Sequence, residues 1–273
     1  MIPTATNQTR EEATFLFSGN ASDGDAGIQA TGTGTVTTAM LSMSARSETG
    51  HDADYIRWHQ FDHTAEQYRI DGVRNGQRWV STPACRAARR VQAEPFDRID
   101  HVAQYLFAEP VLETAKAFMA LGAALTAAGR QPIALPRVQS GAYDVVDRQV
   151  NPRGTLGSCG LPWWPASGIY LAIERAATDD AQRRAQAQAL GRLVSLGGVA
   201  GAWRYVGAER DLSPLACRRE QSVLVFYLYE DPVSVADRLG AALEDAWRET
   251  GIEGQFAAPF HIVRPLEWDK YLP

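Results

Sequence analysis

Two of the five histidines of this 273-residue chain lie four positions apart, at His59 and His63, in the segment D-Y-I-R-W-H-Q-F-D-H-T-A-E-Q. A helical period places both imidazoles on one face together with Ile56 and Ile70. An imidazole on an apolar face must find hydrogen-bond partners, bind a ligand or line a cavity, because burying it unpaired costs free energy. We therefore predict that any chemistry of this chain is centred on this helix.

One interpretation assigns acid/base catalysis to this helix. An imidazole suits proton transfer near neutral pH, so His63 would act as general base or acid, with His59 relaying the proton or orienting a substrate. Asp62 or Glu66 would hold an imidazole in the required tautomer. Tyr55, one turn before His59, would stabilise a developing enolate oxygen. The alternative without a function is that His63 bonds a buried carbonyl and His59 lies at the helix edge.

A metal site is a further alternative, because histidines at positions i and i+4 can hold one ion. The letters H-Q-F-D-H superficially resemble the inverted zinc-protease motif H-x-x-E-H, but Asp62 stands where glutamate is required. No third ligand is evident, since His51, His101 and His261 belong to no motif. We expect no bound cofactor, with haem or a divalent metal kept as alternatives.

Composition limits the partners. A net charge of -5, with 45% hydrophobic and 22% charged residues, is typical of a globular protein with a sizeable core. No basic cluster predicts nucleic-acid binding, and no apolar run approaches the roughly 18 residues of a membrane span. Cys85, Cys159 and Cys217 are few and odd in number, which favours reduced thiols and a cytoplasmic location, as does the absence of a secretory signal pattern. The expected partner is a small molecule.

Hydrophobic periodicity predicts the same order of elements twice, β-α-β-β-α-β. In the first half a strand predicted at 35–45 precedes the histidine helix. Strands at 73–82, 101–108 and 137–149 and a helix at 110–128 are predicted to follow it. In the second half the predicted elements are 169–176, 179–196 (helix), 199–206, 223–229, 232–247 (helix) and 257–264. Between 81 and 98 the sequence indicates a polar, proline-bearing connection.

The remaining segments are distinguished by composition. Residues 1–34 are rich in small polar residues and carry one apolar island, Phe15-Leu16-Phe17, so we predict a loose arm pinned by that island. In the linker, Trp163-Trp164 stands between prolines and should cover a sheet edge or a pocket mouth, because each ring has a large area to bury. The predicted divisions are the arm at 1–34, a first unit with the site at 35–149, a linker at 150–168 and a second unit with the tail at 169–273.

The two halves also match in sequence. Gly72-Val73 and Arg78-Trp79-Val80 align with Gly198-Val199 and Arg204-Tyr205-Val206 at an offset of 126 (198 minus 72), and the block from Tyr105 to Val111 aligns with that from Tyr227 to Val233 at 122 (227 minus 105). Two matched blocks in one order indicate a duplicated unit. A sheet with both helices on one face leaves its other face bare, and two such sheets can cover each other. We predict an α+β fold of two tandem ferredoxin-like repeats whose antiparallel sheets pack into one barrel.

The repeat also indicates where a site would lie. At the offset of 126, the residues that correspond to His59, His63 and Glu66 are Ala185, Ala189 and Arg192. A helix needed only for packing would not require this difference, so we expect the site in the first half, between its helix and sheet, with the second half as scaffold. Arg78 and Arg204 recur in both halves and are assigned to structure, pairing with carboxylates.

The letters W-H-Q-F-D-H-T-A-E-Q, followed by I-D-G-V-R-N-G-Q-R-W-V, resemble the helix-to-strand signature of the dimeric α/β-barrel superfamily, particularly its EthD-like and stress-responsive members. The usual pattern is W-[HY]-x-x-E-H, then P-G-[FV], then an arginine-containing strand. Trp58, His59 and His63 match this pattern. Asp62 replaces the usual glutamate and Asp71 replaces the usual proline.

The resemblance implies a range of activities. The superfamily includes polyketide cyclases, lactone isomerases, cofactor-free monooxygenases, haem-binding decolorising peroxidases and proteins with no known activity. In several cyclases a histidine of the first helix is the base, a role that would fall on His63 with His59 beside it. We therefore expect a cofactor-independent cyclase, isomerase, lyase or phenol oxygenase acting on a small aromatic or enolisable carbonyl compound. Trp58, Glu66 and Trp79 are the expected substrate contacts. The alternatives are a small-ligand or haem-binding barrel, or a structural protein with no site, and a homodimer of the whole chain stays open.

Overall fold

The computed structural model describes residues 35–131 and 134–273, so the predicted N-terminal arm and its Phe15-Leu16-Phe17 island lie outside the described residues. The strands are β1 (Val36–Ser44), β2 (Val73–Val80), β3 (Val91–Gln92), β4 (His101–Ala108), β5 (Arg137–Val150), β6 (Gly168–Arg175), β7 (Val199–Gly207), β8 (Gln221–Leu228) and β9 (Gly254–Ile262). The helices are α1 (Asp52–Trp58, continued by a π-helical segment His59–His63 and a last turn Thr64–Gln67), α2 (Pro83–Ala87), α3 (Val111–Ala127), α4 (Asp180–Val194) and α5 (Pro232–Thr250), with 3₁₀ turns at Phe96–Arg98, Ser158–Trp163 and Pro265–Glu267.

Within the described part of the chain, eight strands form a closed antiparallel barrel. Their order is β2-β4-β1-β5-β7-β8-β6-β9, and β9 pairs back to β2 through Ile262 opposite Trp79 and His261 opposite Val80. The two-residue β3 adds to the side of β9. Each half runs β5-β1-β4-β2 or β9-β6-β8-β7, which is the ferredoxin-like strand order. The predicted α+β class and barrel are confirmed.

Large side chains fill the barrel interior. Trp79, Trp203, Tyr205, Tyr227, Phe256 and Phe260 are all at most 1% exposed and belong to one apolar cluster. Because successive strand residues alternate between faces, their chain neighbours point outward. Gln104 supplies a polar centre: its amide donates to the Tyr205 hydroxyl at 2.8 Å and its carbonyl accepts from Tyr227 at 3.1 Å. The interior is thus a packed core.

The helices cover the outer faces of the barrel. Helix α3 packs Ala115 and Phe118 against outward residues of β4, including Phe107. Helices α4 and α5 cover the second half through an apolar cluster that includes Leu190, Leu193, Leu239 and Leu243. No helix among the described residues combines the length and the apolar composition needed to cross a membrane.

Two predicted segments differ in the structure. The connection between 81 and 98 contains α2, β3 and a 3₁₀ turn, so it is more ordered than its composition indicates. Trp164 packs against the barrel core as predicted, but Trp163 is 50% exposed, and the expectation that both rings are covered is wrong for it. The cause is the Pro162 carbonyl, which accepts bonds from the side chains of Asn75 (2.9 Å) and Gln77 (2.7 Å) and fixes the turn with the Trp163 ring outward.

Candidate functional site

Helix α1 lies across the outer face of β2 and β4. Ile56 is fully buried and packs with Val80 of β2. On β4, the alternate residues His101 and Tyr105 point toward the helix side, since Gln104 between them points into the barrel. Arg78 of β2 points to the same side, where it reaches Tyr55 of α1. The candidate residues of the first half therefore meet between α1 and the sheet.

The π-helical segment of α1 contains both histidines, at its first and last residues. The backbone N–H of Thr64 bonds the His59 carbonyl, one residue beyond the α-helical partner. The Thr64 hydroxyl donates to the same carbonyl at 2.6 Å, so two donors share one acceptor and stabilise the wider turn. Such single π turns are frequent at functional sites.

His59 is 2% exposed and both of its ring nitrogens are hydrogen-bonded. Its Nδ1 lies 3.2 Å from the Thr64 hydroxyl, whose one proton already goes to the His59 carbonyl, so Nδ1–H is the donor in this contact. Its Nε2 therefore carries the lone pair and accepts from the Tyr105 hydroxyl. Burial, reinforced by the charge of Arg78, lowers the pKa of His59 well below its usual value, and burial raises the pKa of Tyr105. Both groups are neutral near pH 7.

His63 stacks on Trp58, with ring centroids 4.7 Å apart and planes within 10°. The Gln67 amide donates to His63 Nε2 at 2.8 Å, which places the proton on Nδ1. Nδ1 is buried and has no partner in the part of the chain described. Burial, and then the charge of Arg78, lower the pKa of His63 to about 4. The expectation that this imidazole titrates near neutral pH is corrected: at pH 7 it is neutral, so it can accept a proton but is not the imidazolium that a general acid requires.

Arg78 brings a positive charge into this site. Its side chain is 4% exposed, its guanidinium carbon lies 4.8 Å from the Tyr55 ring centroid, and Nη2 donates to the Tyr55 hydroxyl at 3.2 Å. No carboxylate oxygen of the described residues lies within 4.0 Å of the guanidinium, and its buried Nε has no acceptor among them. The predicted carboxylate partner is therefore missing for Arg78. It is present for Arg204, which pairs with Glu174 at 2.8 Å.

A buried histidine–aspartate pair, His101 with Asp52, borders the candidate site. His101 is 1% exposed and its Nε2–H donates to Asp52 at 2.7 Å. Burial raises the pKa of Asp52, but hydrogen bonds from His101 and from the Ser47 N–H outweigh it, and the net pKa is lowered. Burial lowers the pKa of His101 against the opposing effect of Asp52. This pair anchors the start of α1 to β4.

Three predicted site residues take other positions. Asp62 and Glu66 both pair with Arg130, Glu66 at 2.7 Å, and neither hydrogen-bonds an imidazole, because they lie on the partly exposed side of α1. The prediction that they set a tautomer is corrected: Thr64 and Gln67 do so. The prediction that Trp79 contacts a substrate is also wrong, since it follows Arg78 in the strand and points into the barrel, away from α1.

Sequence reasoning missed Tyr105, and the register explains why. Tyr105 and Tyr227 are matched in the sequence blocks, yet Tyr105 faces α1 and Tyr227 lies inside the barrel. The ladders place Arg78 opposite Ala103 and Arg204 opposite Leu224, so the structural offset is 121 (224 minus 103) rather than 122. A shift of one residue reverses the face of every side chain in a strand.

Metal ligation finds no further support in the geometry: within 35–131 and 134–273, no group of three or more His, Cys, Asp or Glu side chains could hold an ion. No protein-family model matches the sequence, and no curated protein matches it at a significant level.

Solved structures resemble the fold. A dye-decolorizing peroxidase from Bacteroides thetaiotaomicron matches over 88% of this chain and 96% of its own, with a TM-score of 0.52 and 8% identity. A protein from Fusobacterium nucleatum, provisionally named a monooxygenase, matches over 85% of this chain and 94% of its own, with a TM-score of 0.51 and 10% identity. At such identities the likeness extends to the ferredoxin-like α+β barrel fold alone.

Proposed function

We propose that the chain is a cofactor-independent enzyme that uses the first-half histidines in acid/base chemistry on a small aromatic or enolisable carbonyl compound. The observation that carries this proposal is the grouping of two neutral imidazoles, a protonated tyrosine and an arginine that contacts no carboxylate of the described residues, between α1 and the sheet. Perturbed pKa values gathered in one place are typical of catalytic sites.

The proposed proton acceptor is His63. Its Nε2 lone pair is held by the Gln67 amide, a neutral donor that a substrate C–H or O–H can replace. The C–H or O–H bond breaks, an N–H bond forms at His63, and the electron pair moves to the carbonyl or phenol oxygen. Arg78 and the Tyr55 hydroxyl stabilise the oxyanion. The imidazolium formed at His63 then returns a proton to the substrate, which restores the neutral imidazole, while Tyr105 stays protonated beside His59.

The test is hydrogen exchange into phenylpyruvate, an aromatic and enolisable 2-oxo acid, followed in D₂O by loss of its methylene proton signal. The wild-type protein should accelerate exchange over buffer, and His63→Gln should reduce that acceleration by about 10²-fold, the usual contribution of one general base. His51→Gln is the matched control, because His51 is exposed and hydrogen-bonds only within its own turn. Equal rates for wild type and His63→Gln, with circular dichroism unchanged, would refute the role of His63.

Haem binding is the second candidate, because a structural neighbour is a peroxidase by name. The histidines of α1 do not fit it. Both nitrogens of His59 are hydrogen-bonded, and His63 Nε2 accepts from Gln67 while Trp58 covers one ring face. A Soret band in the purified protein would favour haem over the proposed chemistry.

We also propose that the chain is a tandem duplication of an EthD-like unit. Support comes from the shared strand order and from bulges at matching places, between Val73 and Asn75 and between Val199 and Gly201. A homodimer of the whole chain and a cytoplasmic location remain proposals, the latter supported by the free thiols at Cys85, Cys159 and Cys217. The proposed partner is a small molecule rather than nucleic acid or membrane.

A further inference from the structure

We infer that Arg78 is the specificity-determining residue of the first-half site and that the substrate carries a carboxylate, which the guanidinium binds. This inference rests on the proposed function for the location of the site. It adds the charge and the class of the molecule that enters: a small organic acid with an aromatic or carbonyl group beside its carboxylate.

Arg78 and Arg204 occupy the same place in the two halves of the barrel. Arg78 lies opposite Ala103 of β4, and Ala103 lies opposite Ser42 of β1. Arg204 lies opposite Leu224 of β8, which lies opposite Ala172 of β6. Both arginines are buried, at 4% and 6% exposure. The sheet therefore presents the two guanidinium groups in equivalent surroundings.

The two arginines differ in the carboxylate that faces each guanidinium. Arg204 is neutralised by Glu174, two residues beyond Ala172, at 2.8 Å, and Glu174 also accepts from Gln186 at 2.9 Å. The equivalent position in the first half, two residues beyond Ser42, is Ser44. A serine carries no charge, so the carboxylate that completes this site in the second half is absent from the first.

No anion of α1 or β4 lies beside Arg78. The groups that face it from these two elements are Tyr55, Tyr105, His59, His63 and His101, and none of them is negative. Asp52 is bonded to His101, and the acidic residues at 62 and 66 are bonded to Arg130. A buried cation without a counter-ion is costly unless a ligand supplies one.

The guanidinium of Arg78 favours a carboxylate as its ligand. A guanidinium offers planar, paired donors that match the two oxygens of a carboxylate. Here Nη2 bonds a tyrosine hydroxyl. The buried Nε–H has no acceptor among the described residues, as is also true of Arg204, so the two arginines differ in the carboxylate that only Arg204 contacts. The ring of Tyr55 against the guanidinium and the ring of Trp58 on His63 supply aromatic surfaces for the rest of the molecule.

Stability of the ligand-free protein tests whether Arg78 serves a ligand or the fold. Arg78→Met removes a buried charge that has no carboxylate partner among the described residues, so the melting temperature should stay the same or rise. Arg204→Met is the matched variant, and its melting temperature should fall by several degrees because the buried Glu174 loses its cationic partner. Equal falls for both variants would show that Arg78 is structural and would overturn the inference.

A third variant restores the missing carboxylate. Ser44→Glu places a glutamate where Glu174 stands in the second half, and it should pair with Arg78 and raise the melting temperature. The same variant should compete with ligand, since it occupies the guanidinium. A fall in melting temperature together with unchanged ligand binding would contradict the equivalence of the two positions.

Binding is measured by calorimetry with benzoate and with its uncharged counterpart benzamide, which has the same shape. The wild type should bind benzoate at least 10-fold more tightly than benzamide, and Arg78→Met and Ser44→Glu should abolish the difference. His51→Gln should keep it, because His51 is exposed and lies outside the site. Benzoate preference without phenylpyruvate exchange would leave this inference standing and refute the proposed catalysis. The absence of any benzoate preference would overturn the inference and leave the exchange test unaffected.

Discussion

His59 and His63 occupy successive turns of one helix, yet their hydrogen bonds differ in kind. His59 is fixed at both nitrogens, by Tyr105 and Thr64, and its tautomer is set by the single proton of a threonine hydroxyl. His63 accepts from a side-chain amide and has a buried Nδ1 without a partner among the described residues. The first imidazole therefore holds a tyrosine in place, and the second is the proton acceptor of the proposed chemistry.

The stability of the protein should depend on these imidazoles below neutral pH. The folded-state pKa of His63 is about 4 and its unfolded value is 6.5, so the unfolded chain binds the proton first as the pH falls. The stabilisation is fully present above pH 6.5 and is lost between pH 6.5 and 4. Allowing for partial exposure, His63 contributes about 2 kcal/mol to this loss.

Urea unfolding at half-unit pH steps measures this dependence. His59 and His101 have pKa values lowered in the same direction and add to the slope. His63→Gln should flatten the slope between pH 6.5 and 4, and His51→Gln serves as the exposed control. A slope unchanged in His63→Gln would contradict the lowered pKa.

At the residue scale, the sequence predicted which face of α1 is buried, but it did not predict the hydrogen-bond partners that β4 and β2 supply to that face. The spacing of Ile56, His59 and Gln67 correctly placed these side chains on the buried face. The contact with Tyr105 depends on strand register, and a one-residue shift in β4 cannot be read from spacing. The lack of a carboxylate at Ser44 for Arg78 is equally invisible in the sequence, because only the strand pairing relates these two positions.

At the scale of elements, α1 and its exit determine the shape of the site. The π segment shifts the face of the helix between its two ends, so Asp62 turns toward Arg130 rather than toward an imidazole. A regular helical period cannot predict this insertion. The turn that follows α1 is formed at Gly72, whose φ is +92°, and the corresponding turn after α4 is formed at Gly198, whose φ is +88°.

Gly72→Ala tests that exit. An L-residue at this φ is strained, and a Cβ would meet the side chain of Thr114, so the free energy of unfolding should fall by about 2–3 kcal/mol. Gly50→Ala is the matched control: its φ is also positive, at +76°, but a Cβ would meet nothing within 4 Å, and about 1 kcal/mol is expected. Equal losses in chemical denaturation would show that Thr114 does not restrict this turn.

The boundaries of most elements followed from local chemistry. Asp179 and Asp231 accept bonds from the first turns of α4 and α5, and Gly251 ends α5 with a φ of +66°. Helix α5 nevertheless extends to Thr250, beyond the predicted Trp247, because the indole is buried against the sheet and keeps the last turn in place. Burial by other elements is a tertiary effect that caps and periodicity do not contain.

At the scale of the whole molecule, the halves are joined at both seams of the barrel. Strand β5 pairs with β7 at one seam and β2 with β9 at the other. The C-terminal tail continues this union: Trp268 and Tyr271 pack against Ile56 and Val80 of the first half. The division of the chain at 150–168 was predicted from sequence, but the tail's contact with α1 was not, because it joins residues about two hundred positions apart.

Calorimetry should therefore show one unfolding transition for the full chain. Neither sheet can expose its inner face to water without losing the shared core, so the halves unfold together. Equality of the calorimetric and van't Hoff enthalpies is the criterion. Two resolved transitions would show that the halves are independent domains and would contradict a common barrel core.

The most direct test of the account is a nitrogen-15 NMR titration of the histidine side chains between pH 4 and 8. His59 should be the neutral Nδ1–H tautomer near pH 7, with its pKa well below the usual value, and His63 should stay neutral until the pH approaches about 4. Substitution of Tyr105 by phenylalanine should shift the His59 Nε2 signal and leave that of His63 in place. A histidine of α1 within the buried face that titrates near its ordinary value of 6.5 would contradict the neutral, desolvated site on which the proposed chemistry depends.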